Sequence, residues 1–185
     1  MPTILTHPAV PLSLAIMAGG GVIGSRLLLA GVAASVLPDL DVIGFKLGVA
    51  YGDELGHRGF SHSLAFALGV GGLAAAVAPW LRTTRWVAFL FVAIACASHG
   101  LLDMVTNGGK GIALLWPLTD ARLFLPHPFI EVSPLSLKRF LGPAGVSVLQ
   151  SELRWVWLPA AVAAATGLML RQTWGLASRR TRRKR

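Results

Sequence analysis

AIACASHGLLDMV, residues 93–105, places a histidine and a carboxylate four positions apart inside an otherwise apolar run. Four residues is just over one helical turn, so His99 and Asp103 leave one face of the same helix. The run is long and apolar enough to lie in a membrane, and ionisable groups at that depth are costly and usually functional. Upstream stand His7, the pair Asp39 and Asp41 in LPDLD, and His57 and His62 in HRGFSHS. Together these residues supply the neutral imidazoles and carboxylates that zinc-like metals bind.

The rest of the chain fits that setting. Of 185 residues, 54 % are hydrophobic and only 14 % charged, where a soluble domain carries nearer a quarter charged. The mean hydropathy is +0.65. The length suits one domain, read as residues 1–178 with a basic tail, RRTRRKR, at 179–185. The expected fold is all-α: a polytopic helical membrane protein with about five membrane helices, arranged as two helical hairpins and a C-terminal helix. Much of the net charge of +9 is in the tail. Beside an apolar helix, a basic tail reads as a cytoplasmic anchor on anionic lipid rather than a nucleic-acid contact. Cys96 is the single cysteine, which excludes an internal disulfide and a cysteine-rich metal site. The start, MPTILTHPAVPLS, lacks the basic opening of a cleavable signal peptide.

Five apolar segments are expected: Val10–Ile23, Leu27–Leu37, Leu64–Leu81, Trp86–Met104 and Trp155–Trp174. The first two could form one continuous helix. That helix would separate His7 from Asp39 by about 48 Å at 1.5 Å per residue. A hairpin turning near Gly24-Ser25-Arg26 instead returns Asp39 to the side of His7, and glycine-rich sequence allows the break. The second hairpin turns at Arg82-Thr83-Thr84-Arg85 and brings His62 to the face where His99 and Asp103 end their helix. Residues 106–152 are polar and rich in proline and glycine, and read as an extramembrane loop region.

Arg26, Arg82, Arg85 and the tail then share one face, which the positive-inside rule makes cytoplasmic. Trp80, Trp86 and Trp174 lie near that boundary, and Trp116, Trp155 and Trp157 near the other. The candidate ligands and the long loop face the extracytoplasmic side of the inner membrane. Lys110, Arg122, Lys138, Arg139 and Arg154 share that side and run against the rule.

Asp39 or Asp41, His57 or His62, His99 and Asp103 would suffice for one zinc, and His7 could complete a second metal. Two ions a few ångströms apart suit phosphoester cleavage, because they clamp the attacking and leaving oxygens. Asp41, Arg58 and Arg122 are candidate catalytic groups beside the ligands. Ser61 or Ser63 can cap the helix after HRGFSHS, leaving N–H groups at its start for a phosphate that Arg58 could pair with. Each residue also has a plainer reading. Asp39 and His7 could be helix caps, His57 and His62 interfacial polar residues, Arg58 a snorkelling cation, and His99 with Asp103 a hydrogen-bonded pair. His127 and Glu131 repeat the four-residue spacing, but Pro126 and Pro128 argue for a loop.

The ordered set His7, LPDLD, HRGFSHS, His99-Gly-Leu-Leu-Asp103 with Thr106 after it, and Leu115-Trp-Pro117 resembles the YdjM type, a bacterial and archaeal family of predicted membrane-bound metal-dependent hydrolases. The match covers roughly residues 5 to 123. The resemblance implies an inner-membrane hydrolase. The H-x-x-x-D step, preceded by an Asp and a His, is also similar to the zinc-ligand order of zinc-dependent phospholipase C and related single-strand nucleases. By that similarity Asp39, His62 or His57, His99 and Asp103 would ligate one zinc. The later ligands of phospholipase C have at most His127 and Glu131 as counterparts.

The expected function is hydrolysis of a phosphoester on a membrane lipid or lipid-linked substrate, with one or two divalent ions, zinc first. A metal-ion or proton transporter using the same groups is the alternative, and a regulatory membrane protein acting through its tail is a third reading.

Overall fold

The computed structural model describes residues 1–134 and 136–182, with backbone alone at 137 and 175–182. Its regular structure is helical: α1 (Ala9–Ala18), α2 (Ser25–Val36), α3 (Ile43–Lys46), α4 (Leu64–Ala76), α5 (Arg85–Met104), α6 (Leu137–Phe140), α7 (Pro143–Glu152) and α8 (Leu158–Arg182). Two 3-10 segments, Leu37–Val42 and Phe60–His62, carry LPDLD and the end of HRGFSHS. A π turn, Leu153–Trp157, joins α7 to α8.

The chain breaks between α1 and α2, at residues 19–24, as the glycine-rich stretch predicts. The consequence is direct: His7 and Asp39 approach to 3.8 Å. α4 ends at Ala76, short of the expected Leu81. Pro79 follows closely, and the residue before a proline is driven out of helical geometry. The last helical run starts earlier than the expected Trp155, at Pro143, because the π turn lets α7 continue into α8. Part of the 106–152 region is therefore helix. The tail at 179–185 continues α8 as far as Arg182, and residues 183–185 lie outside the described residues.

Three runs are long and apolar enough to cross a membrane: Ser25–Lys46, Arg85–Met104 and Pro143–Trp174. Two shorter apolar helices, α1 and α4, complete the five. α5 packs against α2 and α4, and α1 against α8. α1 and α8 run parallel: Ser13 Oγ donates to the Ala160 carbonyl at 2.9 Å, and Arg171 to the Ile16 carbonyl at 3.2 Å. The core between α2, α4 and α5 is built largely of small residues, including Ala34, Ala67, Ala74 and Ala88, with Leu27 and Phe91. Leu29, Leu68, Leu73, Leu90, Val162 and Met169 point outward. Small residues at the contacts and large apolar residues on the outside suit lipid as solvent: helices there associate by close packing, not by expelling water.

The end opposite the candidate site carries exposed Trp80, Trp86 and Trp174. Arg26 donates to the Trp80 carbonyl at 2.9 Å and lies 5.7 Å over its ring. The long 106–134 segment folds onto the other end. Ile112 and Leu123 exchange backbone hydrogen bonds, and Thr106 bridges to Ile130. Ile112 and Ile130 are fully buried.

Gly71 of α4 marks a close approach of α4 to α5. A Cβ there would stand 2.8 Å from the Ala93 Cβ and 2.9 Å from the Phe89 carbonyl oxygen. Gly71→Leu is expected to destabilise the bundle by about 1–3 kcal/mol through overpacking. A clear fall in thermal midpoint in detergent would show this, and an unchanged midpoint would mean that α4 and α5 are not packed this closely.

Candidate metal centre

At the covered end, His7, Asp39, His57, Arg58, His62, His99 and Asp103 converge, each 4 % exposed or less. Their positions follow from local structure. His99 and Asp103 occupy one face of α5, as their spacing requires. The 3-10 segment at LPDLD, with Pro38 in its first turn, swings Asp39 inward. In HRGFSHS, Arg58 has φ +64, a left-handed conformation that costs a non-glycine residue about 1–3 kcal/mol. It is held there by its contacts. The guanidinium Nε lies 3.0 Å from Asp103 Oδ2 as an ion pair without hydrogen-bond alignment. Its other nitrogens donate to the Gly108 carbonyl at 2.8 Å and to Thr106 Oγ1 at 3.1 Å.

Three histidines have partners at Nδ1, and Nε2 of His62 and of His99 faces the cluster. His57 Nδ1 donates to Asp41 Oδ1 at 2.6 Å. His62 Nδ1 is hydrogen-bonded to Ser61 Oγ at 3.0 Å and lies 3.2 Å from Asp41 Oδ2. His99 Nδ1 donates to the Ser35 carbonyl at 2.8 Å. Asp41 and the Ser35 carbonyl accept only, so they fix the proton of His57 and His99 on Nδ1 and leave Nε2 as a lone pair, the arrangement of metal-bound imidazoles. Asp41 thus stands behind the histidines; it also accepts from the Arg58 N–H at 3.1 Å and from Ser61 Oγ at 2.7 Å.

The inward-facing atoms crowd one another. His99 Nε2 and His62 Nε2 are 3.1 Å apart. His99 Nε2 is 3.3 Å from Asp39 Oδ1, and His62 Nε2 is 3.5 Å from Asp103 Oδ2 and 3.9 Å from Asp39 Oδ1. Two ligands of one zinc, each about 2 Å from it, lie at most about 4 Å apart. His7 stacks on His99 with centroids 3.7 Å apart. Within His7, His99 and Asp103, and within Asp39, His57 and His62, the ligand atoms lie within 4.8 Å of one another.

A cation answers three separate needs here. Both oxygens of Asp39 and of Asp103, and both nitrogens of His7, are buried without a hydrogen-bond partner. Each such group costs about 1–3 kcal/mol, and more when charged. Two imidazole lone pairs facing at 3.1 Å repel unless a proton or metal lies between them. Finally, Arg58 is the one fixed side-chain cation among the described residues ion-paired with Asp39 or Asp103, which leaves excess negative charge in a low-dielectric setting. Without a metal, a proton takes part of this role. Burial opposes charge on His62, but the adjoining Asp103 and Asp41 carboxylates hold its pKa up at about 9. At His7, burial and the neighbouring His99 hold the pKa well below its ordinary value, in the neutral form that ligates metal.

Several sequence expectations meet different surroundings. His7 and Asp39 cap no helix, since their polar atoms meet no N–H. Ser63 does cap α4, accepting from the Phe66 N–H at 3.0 Å. The Leu64 N–H is taken by the Leu114 carbonyl at 3.0 Å. The open row of donors expected for a phosphate at this helix start is therefore largely occupied by the protein. Arg122 directs its terminal nitrogens to the carbonyls of His57, Tyr51 and Asp53 at 3.0, 3.3 and 3.0 Å. It clamps the 51–57 loop and does not point into the cluster. His127 is exposed, and Glu131 accepts from Asn107 Nδ2 at 2.7 Å, so both remain loop residues away from the site.

Gly100 is a requirement that spacing alone does not reveal. A Cβ there would stand 2.7 Å from the His62 carbonyl oxygen, so the Phe60–His62 turn seats directly on α5. Alanine is favoured over glycine in a helix by up to about 1 kcal/mol, but the overpacking cost of about 1–3 kcal/mol opposes it. Gly100→Ala is thus expected to lower the thermal midpoint, whereas a midpoint raised by the better helix former would show that the turn is not seated there.

A helical bundle of membrane-spanning character, with buried histidines and aspartates gathered at one end, defines a polytopic membrane protein able to hold a metal ion. The chain belongs to the YdjM inner membrane protein family, whose model matches residues 1–176. It is similar to the inner membrane protein YbcI of Escherichia coli (strain K12), with 49 % identity over 160 residues that cover 86 % of this chain and 92 % of that protein. No solved structure matches the chain.

Proposed function

We propose that the protein is a metal-dependent hydrolase embedded in the inner membrane, acting on a phosphoester of a lipid or lipid-linked substrate. The observation that carries this reading is the convergence of buried histidines on Asp39 and Asp103, whose oxygens make no hydrogen bond. Nitrogen and oxygen donors without sulfur suit zinc, and the two adjoining groups of three ligands match one or two ions. A divalent ion there would supply Lewis-acid chemistry at a phosphoryl oxygen and lower the pKa of water. Asp41 orients His57 and His62 for that role. Arg58 keeps a fixed positive charge beside Asp103, where an anionic substrate would otherwise meet only carboxylates.

The positive-inside rule supports an extracytoplasmic site, because Arg26, Arg82, Arg85 and Arg171 cluster toward the opposite end. The basic tail then reaches anionic lipid on the cytoplasmic side. A transporter would need polar groups continuing through the bundle, whereas the packing between α2, α4 and α5 is apolar.

Elemental analysis of detergent-purified protein tests the reading. Near-stoichiometric zinc is expected in the wild type, with loss of both metal and lipid-phosphoester turnover in Asp103→Ala while the variant still inserts. Absence of metal from a folded wild type supplied with zinc would refute the proposal. Asp41→Ala, which frees two imidazoles without removing a ligand, is expected to weaken zinc affinity roughly 10–100-fold in a chelator competition; undiminished affinity would remove Asp41 from the site.

A further inference from the structure

Glu152 is a carboxylate that the reading above does not use, and it is only 1 % exposed. It ends α7, where the chain enters the π turn Leu153–Trp157. A buried anion is tolerated only when it is fully hydrogen-bonded. Every partner of Glu152 comes from the segment just ahead of His7. The backbone N–H of Thr3 donates to Oε1. The Thr3 and Thr6 hydroxyls donate to Oε2 at 2.8 and 2.7 Å. The Trp157 indole N–H in turn donates to Thr6 Oγ1 at 3.1 Å.

The π turn explains how one helix reaches Thr6 twice. In an α-helix, residues five apart point in different directions. The i to i+5 hydrogen bonding of a π turn brings them toward one face, so Glu152 and Trp157 both meet the same threonine. Thr6 is thereby fixed from two sides, and the next residue is His7. His7 itself has no hydrogen bond to hold its ring. Its orientation comes from the stack on His99 and from the backbone that Thr6 anchors.

We propose that Glu152 is a positioning residue of the metal centre, acting through Thr6 to hold His7 against His99 and Asp103. The inference rests on the metal-centre reading. It links α7, in the region that reads as a loop from sequence, to the ligand farthest from it along the chain.

The test is a zinc competition titration of detergent-purified wild type, Glu152→Ala, Thr6→Val, His7→Ala and the Glu152→Ala/His7→Ala double variant. Glu152→Ala and Thr6→Val are expected to weaken zinc binding roughly 10–100-fold, the range for partners that orient a ligand. The double variant should bind no more weakly than His7→Ala alone, because Glu152 acts through that ligand. Glu152→Gln should recover most of the affinity, since its amide can still hydrogen-bond the Thr6 hydroxyl. A purely structural role predicts an additive loss in the double variant, which would overturn the proposal. So would unchanged zinc affinity in Glu152→Ala, or in Thr6→Val if Glu152→Ala fails to fold. A wild type that holds no zinc overturns the metal centre itself, and this inference with it.

Discussion

Two carboxylates, Asp39 and Asp103, and four histidines lie out of water with the Arg58 guanidinium among them and Asp41 at their edge, and the rest of the structure follows from the need to make that arrangement tolerable. In a low-dielectric interior, an unpaired carboxylate either gains a proton or finds a cation. Arg58 serves Asp103 in part, and Asp41 is satisfied by His57, Ser61 and the Arg58 N–H. Asp39 has histidine nitrogens around it and no hydrogen bond to relieve it. A site left in this condition by its own protein groups is suited to a divalent ion.

The scaffold holds these groups by short, separate attachments. α5 carries two of them on one turn, and the Ser35 carbonyl of α2 sets one ring. Asp41 sets two more. The 106–134 segment closes over the HRGFSHS turn, with the Ala113 N–H bonded to the Arg58 carbonyl at 3.0 Å and Thr106 beneath the guanidinium. Packing through alanine and glycine lets α2 and α4 approach α5 closely enough for these bonds to form. His57 and His99 are thus each held by a residue of another segment, so the geometry is sensitive to the docking of the whole bundle.

Much of this was legible in the chain. The four-residue step from His99 to Asp103 gave their common face, because helical periodicity is local. The hairpin at residues 19–24 followed from distance alone: without it, Asp39 is far from His7. Caps were readable at Ser63, where a side chain meets its own backbone. The reading was weaker where long-range partners decide. Arg122 presents the same guanidinium whether it binds phosphate or three carbonyls. The α4 start resembles an anion site until the Leu114 carbonyl arrives from fifty residues away. Glu152 and the π turn gave no periodic signal, so a buried acid in a polar stretch passed as a loop residue.

The sequence by itself determined a helical membrane protein with its histidines and acids at one end, because hydropathy and helical spacing are properties of short segments. The tertiary structure decided which nitrogen of each histidine faces the cluster, which aspartate supports and which lies bare, and how His7 is held. Those outcomes depend on single hydrogen bonds between residues up to 151 positions apart, and no local pattern records the partner at the other end.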